Sequence, residues 1–172
     1  MSLRSMIAFV AVLFIIYASV AFALETGEPA PKFELKDQFA KLWKLSNLKD
    51  DVVVVVAATR ESGRAMGPWV DKLKAKYNKK IHLLGLLDLH KVPGIGRGIA
   101  KSRIRSETKD PLMLDWDGKT GKAYHVSDKY PVVVVIDKNG VAQAVQATNF
   151  TTQAYDTIVA SIDKNLNNKS DK

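Results

Sequence analysis

Residues 52–58 read Val-Val-Val-Val-Val-Ala-Ala, and this run constrains the fold more than any other feature of the chain. Side chains branched at Cβ are stiff about χ1 and disfavour a helix. A run with no polar alternation needs cover on both faces, so it reads as the centre of a sheet with helices on either side. Polarity then changes abruptly to Thr59-Arg60-Glu61-Ser62-Gly63-Arg64. Behind Pro68 a helical stripe follows, with Trp69, Leu73 and Tyr77 at i, i+4 and i+8. Asn78-Lys79-Lys80 ends that helix, and Ile81 to Leu87 is a second buried strand. Strand, helix, strand implies a right-handed crossover and a parallel pair.

Before the valine run, Gly27-Glu28-Pro29-Ala30-Pro31 is extended and stiffened by proline. Phe33 and Leu35 suggest a short edge strand, and Leu42, Trp43, Leu45 and Leu48 lie in a mixed polar segment. Beyond the second strand, Pro93 to Gly98 is a glycine-rich loop. Two helical turns are expected within 99–109, and Leu112-Met113-Leu114 leads into a turn at 115–118. One helical turn is expected over 123–126. Val132 to Ile136 is a third apolar strand. Asp137-Lys138-Asn139-Gly140 predicts a hairpin, because Asn-Gly tolerates the positive φ of a tight turn. Val141 to Ala147 returns antiparallel. Thr151 or Thr152 caps a last helix bearing Tyr155, Ile158, Val159, Ile162 and Leu166, and 167–172 is a polar tail. The fold class is α/β, with a central mixed sheet flanked by helices.

Arg4 precedes an apolar stretch over residues 7–23 that ends Ala21-Phe22-Ala23. A basic start, an apolar middle and a small-x-small exit make a secretory signal peptide over 1–23, cleaved after Ala23 to leave one domain over 24–166. An uncleaved membrane anchor is the alternative. The expected location is therefore periplasmic or secreted. Disulfides are open to an exported protein, but the 172 residues contain no cysteine. That excludes a thiol nucleophile, an iron–sulfur cluster, a Cys-ligated zinc and a lipoprotein anchor. No cofactor or metal is expected, since only His82, His90 and His125 remain as imidazole ligands.

The order of elements is that of the thioredoxin fold, and several motifs strengthen the likeness. Gly27-x-x-Ala30-Pro31-x-Phe33-x-Leu35-x-Asp37, Leu45-Ser46-x-Leu48, the valine strand, Asp115-x-Asp117-Gly118 and Tyr124-x-Val126 occur in sequence, before Pro131 and the Val-Val-Val-Val-Ile-Asp137-x-x-Gly140 strand and turn. Together they resemble the redoxin branch of that superfamily, the peroxiredoxin and periplasmic thiol-oxidoreductase (TlpA-like) proteins. The resemblance implies a cis peptide bond before Pro131. It also implies that the 59–64 turn stands where redox-active relatives carry cysteine. Aligning Pro68 puts Arg60 and Gly63 on the Cys-x-x-Cys positions, whereas the Thr-x-x-Cys pattern puts Ser62 on the peroxidatic position; both registers stay open. Pro93-Gly94-Ile95-Gly96 and Ser102-Arg103-Ile104-Arg105-Ser106 are further similar to the cysteine-free periplasmic YtfJ family.

Disulfide exchange needs a thiolate, and peroxide reduction by this fold passes through a sulfenic acid; a serine hydroxyl supplies neither. The candidate site is therefore a vestigial face of Thr59, Arg60, Glu61, Ser62, Gly63, Arg64, Tyr130 and Pro131. Its expected partner is a protein or an extended peptide added along the strand edge. Ser62 as a nucleophile needs a histidine and a carboxylate such as Asp88, but no Gly-x-Ser-x-Gly elbow surrounds it. A polar turn with Ser62 capping the following helix is the plainer expectation. Arg60 and Arg64 suit an anion, against a local ion pair with Glu61. Gly94-x-Gly96-x-Gly98 lacks the ending of a phosphate loop. The net charge of +8, with Lys101, Arg103, Arg105 and Lys109 close together, suits an anionic envelope surface or plain solvation. Trp116 between Asp115 and Asp117 reads as turn packing. No nucleic acid is expected, because aromatic residues do not interleave with the basic run.

Overall fold

The computed structural model describes residues 24–168. The signal segment expected over 1–23 lies outside the described residues, as does most of the tail. The valine run becomes the buried strand β3 (Val53–Thr59), which is the middle of a five-stranded sheet. On one side it pairs in parallel with β4 (His82–Asp88), and β4 in turn pairs in parallel with β5 (Leu112–Asp115). On the other side it pairs antiparallel with β6 (Val132–Ile136), followed by β7 (Ala142–Ala147). A separate antiparallel pair, β1 (Glu34–Lys36) and β2 (Leu42–Lys44), joins the β5 edge through a bridge from Asp37 to Met113.

The alternation of the strands divides the core in two. Val54, Val56 and Ala58 face one way, onto helix α1 (Gly67–Tyr77) and helix α4 (Thr152–Asn167). Val53, Val55 and Ala57 face the other, onto Phe33, Leu45, Leu48 and Tyr124. Every residue of β3 is buried, and a fully buried valine-sized side chain contributes roughly 1.5–3 kcal/mol. Helix α1 buries Trp69, Leu73 and Tyr77, the stripe the sequence predicts. Thr151 is the cap of α4: its Oγ1 accepts from Ala154 N at 3.2 Å.

Five expectations change. The peptide bond before Pro131 is trans, as there is no cis bond among the described residues. Pro131 immediately precedes β6, where a missing amide hydrogen is tolerated and a trans bond keeps the chain extended. Leu42–Lys44 and Leu112–Asp115 are strands. The crossover helix α2 (Arg97–Glu107) begins two residues before Ile99 and takes in Gly98. The turn expected over 123–126 lies earlier, as helix α3 (Lys119–Ala123), because Gly118 adopts φ +73 and starts it. In the 137–140 hairpin only Gly140 has positive φ, and Asp137 closes the turn by accepting from Gly140 N at 2.9 Å.

Candidate functional site

The site is built at the C-terminal ends of the parallel strands, where the register sets Thr59, Asp88 and Asp115 side by side across β3, β4 and β5. Chain leaving strand ends at a reversal of strand order forms a crevice in α/β sheets. Here the reversal is at β3, between parallel β4 and antiparallel β6.

Ser62 is buried in the turn after β3. Its Oγ donates to Ser127 O at 2.7 Å, accepts from Thr59 N at 3.2 Å, and lies 3.3 Å from Thr59 Oγ1. The hydroxyl thus closes back on its own strand. It does not cap the 3-10 turn that follows (Gly63–Met66), which corrects the capping role expected of it. Ser127 Oγ in turn donates to Tyr130 O at 3.4 Å, so the 59–62 turn and the Tyr130-Pro131 segment are joined through Ser127. Pro131 is buried and Tyr130 half-buried. Of the predicted site residues, Thr59, Ser62, Tyr130 and Pro131 therefore come together.

Arg60, Glu61 and Arg64 project outward. The local ion pair expected between Glu61 and an arginine is absent: Glu61 faces Lys91 at 4.0 Å, and Lys91 bonds Asp128 at 2.8 Å. Arg60 and Arg64 have no ion pair among the described residues. Gly63 is held close to β4, since a Cβ there would lie 3.2 Å from Leu87 Cδ1.

Sequence reasoning missed a second group beside this turn. Asp88 is buried and accepts at one oxygen from both His90 N (2.9 Å) and His90 Nδ1 (2.7 Å). Asp115, wholly buried, accepts from Gly118 N at 3.0 Å and Gly121 N at 2.7 Å. Burial pushes the Asp115 carboxyl up, with Asp117 and Asp88 adding to the rise against the Gly121 amide. Asp117, hydrogen-bonded to Lys119, is held down at about 2. Gly121 carries no side chain because a Cβ would stand 2.6 Å from Asp88 Oδ2. The cavity here, about 520 Å³, is lined by Thr59, Asp88, His90, Lys91, Ser127 and Asp128 among others. Two of the three histidines are engaged elsewhere: His90 pairs with Asp88, and His82 pairs with Asp51 at the opposite end of the strands.

The turn also forms one end of a larger apolar groove of about 1110 Å³. It lies under α2, with β4 as its floor and the turn and α1 along its side. The basic run has a structural place here, because it is carried on α2. No group of three or more His, Cys, Asp or Glu residues able to hold a metal occurs among the described residues. No helix among them is long and apolar enough to cross a membrane.

No known family profile matches the chain, and no curated protein sequence matches it. Solved structures do. The exposed lipoprotein thioredoxin Etrx1 of Streptococcus pneumoniae aligns over 78% of this chain and 99% of its own, at 21% identity and a TM-score of 0.61. A DsbE-named thiol:disulfide interchange protein of Chlorobium tepidum aligns over 84% and 99%, at 22% identity and a TM-score of 0.64. A DsbF homologue of Corynebacterium diphtheriae aligns over 86% and 97%, at 19% and 0.58. Those proteins share the mixed sheet and its flanking helices. With a five-stranded sheet in the order β5-β4-β3-β6-β7 and no cysteine in the sequence, the chain is a cysteine-free protein of thioredoxin-like fold.

Proposed function

We propose that this protein is an exported, non-catalytic binding module of the cell envelope, working through the face made by Thr59–Arg64 and Tyr130-Pro131. Its partner is a protein or an extended peptide segment. One observation carries this reading: Arg60 and Arg64 stand exposed and without a partner among the described residues, beside a serine whose hydroxyl is committed to Ser127 O. Two guanidinium forks without local partners suit a carboxylate or another anionic group, and arginine pairs such groups through two parallel hydrogen bonds. Export is supported by the sequence of residues 1–23. The absence of cysteine supports gripping over electron exchange.

An enzyme acting through Ser62 has less support, because that hydroxyl already donates to a main-chain oxygen and is buried. The test is capture from an envelope extract, with the wild type and an Arg60→Ala, Arg64→Ala double variant as bait. A partner retained by the wild type and lost by the variant is expected; identical captured sets would contradict the reading. Insulin reduction and hydroperoxide turnover should both stay at the buffer rate, and activity above it would overturn the non-catalytic assignment.

A further inference from the structure

Among the described residues, four large apolar side chains stand exposed: Phe39, Leu42, Ile95 and Ile99. Ile95 is 96% exposed and Ile99 is 76% exposed. Three of the four adjoin α2. Ile95 lies in the 3-10 turn Gly94–Gly96, which runs directly into the helix, and Ile99 lies in the first turn of α2. Phe39 is at the other end, with Arg105 over its ring at 5.7 Å. A single exposed isoleucine needs no explanation. Two of them four residues apart share one face and make an apolar ridge.

The inward side of α2 is marked by Ala100 and Ile104, which partly pack on the core. At about 3.6 residues per turn, the side turned away from them carries Ile99, Ser102 and Ser106, all exposed. Arg103 and Arg105 stand on the two flanks of that side, also exposed. Residues 97–109 hold five cations and one acid, Glu107. Glu107 pairs with Arg103 at 2.7 Å, an exposed contact of small worth in water. Arg105 and Lys109 have no acidic partner among the described residues.

These features select one occupant. A second copy would bring the cations of one α2 against those of the other, because a two-fold contact uses the same patch twice. A bilayer of anionic phospholipid meets both halves of the pattern. Its headgroup and acyl boundary takes the apolar ridge, and its phosphates meet the arginines on either flank. Charge alone does not mark this surface. The lysines over 72–80 form a second basic cluster, and no exposed large apolar side chain lies among them. We infer that α2 docks on an anionic phospholipid bilayer, with Ile95 and Ile99 in the interface and Arg103 and Arg105 on the lipid phosphates. This surface is additional to the 59–64 face and does not depend on it.

The experiment uses the chain from Leu24 on, which holds the whole sheet and both cores. Sedimentation with vesicles of equimolar phosphatidylglycerol and phosphatidylcholine measures binding. Pure phosphatidylcholine vesicles should bind at least tenfold more weakly. The Ile95→Ser, Ile99→Ser variant should also lose at least tenfold. At about 1 kcal/mol for each cation near an anionic surface, Arg103→Gln with Arg105→Gln should lose roughly 30-fold at low salt. Lys79→Gln with Lys80→Gln should change binding less than threefold. All these positions are exposed, so the melts of the variants should match the wild type. The sequence has no cysteine, so a polarity-sensitive dye on Ile99→Cys reports that position alone. Its emission should shift to the blue on anionic vesicles, and that of the same dye on Lys79→Cys should not.

Four outcomes overturn the inference: no binding to anionic vesicles, binding indifferent to the two isoleucines, equal losses from the two pairs of cations, or a dimer by sedimentation that Ile95→Ser, Ile99→Ser dissociates, which would show the ridge covered by a second copy.

Discussion

Helices α1 and α2 both connect parallel strands of one sheet and pack against the same core, and they differ in what they bury. Helix α1 drives Trp69, Leu73 and Tyr77 wholly into the core, and Tyr77 Oη donates to Asp163 at 2.8 Å on the neighbouring helix. Helix α2 buries nothing and is tied down by side chains at its ends. A short helix has little stability of its own in water and depends on packing an apolar face. The difference teaches that α1 is sealed onto its half of the sheet for stability, while α2 rests on the other half only through the partly buried Ala100 and Ile104, beside the groove that meets the 59–64 turn.

The contrast can be broken most forcefully in the core. Leu73→Ala should cost about 2–5 kcal/mol in urea unfolding, by lost transfer energy and a cavity. Ile104→Ala on α2 should cost under about 1 kcal/mol, as the half-packed side chain leaves no closed cavity. Equal costs would contradict the distinction between the helices. Next in size, Ser62→Ala should cost about 1–3 kcal/mol, because it removes the donor to half-buried Ser127 O and the acceptor that buried Thr59 N uses. It should do so without changing capture by Arg60 and Arg64. A neutral Ser62→Ala would show that the turn is not held as described.

The smallest effect is one of pH. Burial raises the Asp115 carboxyl above the ordinary value of about 3.9, so the folded protein binds a proton there that the unfolded chain has already released. Its contribution is fully present below the ordinary carboxylate value and is lost as pH rises through the raised one. The stability of the wild type relative to Asp115→Asn should therefore fall as pH rises above the ordinary carboxylate value, measured by thermal melts over a pH series. A difference that grows with pH would reverse the assignment.

How much of this was legible in the sequence follows the same division. The valine run, the Trp69-Leu73-Tyr77 stripe and the Thr151 cap are local patterns whose physics is complete within a dozen residues, and they appear where expected. Strands β2 and β5 are three and four residues long, too short to show a period, and exist because β1 and β4 pair with them. The trans bond before Pro131 departs from the family resemblance, since strand entry at β6 satisfies the proline without a cis turn. Arg60, Arg64 and Ser62 were visible as a polar turn; Ser127 was not. It is 65 positions from Ser62, in a loop with no motif, and only the tertiary fold brings them within 2.7 Å. The groove had no sequence signal, because the sequence shows only two helical turns within 99–109, and tertiary packing decides that Ile104 rests on the core while Ile99 stays exposed.

Native-state hydrogen exchange, followed residue by residue, tests the central claim most directly. Amides open locally at a cost between about zero and the global stability, set by how well their element is packed. The account predicts that Leu73 and Tyr77 amides in α1 exchange only with global unfolding, while those of residues 101–106 in α2 exchange at least about 100-fold faster through local opening. Equal protection in the two helices would mean that α2 is sealed onto the sheet like α1, and the distinction at the heart of this account would not exist.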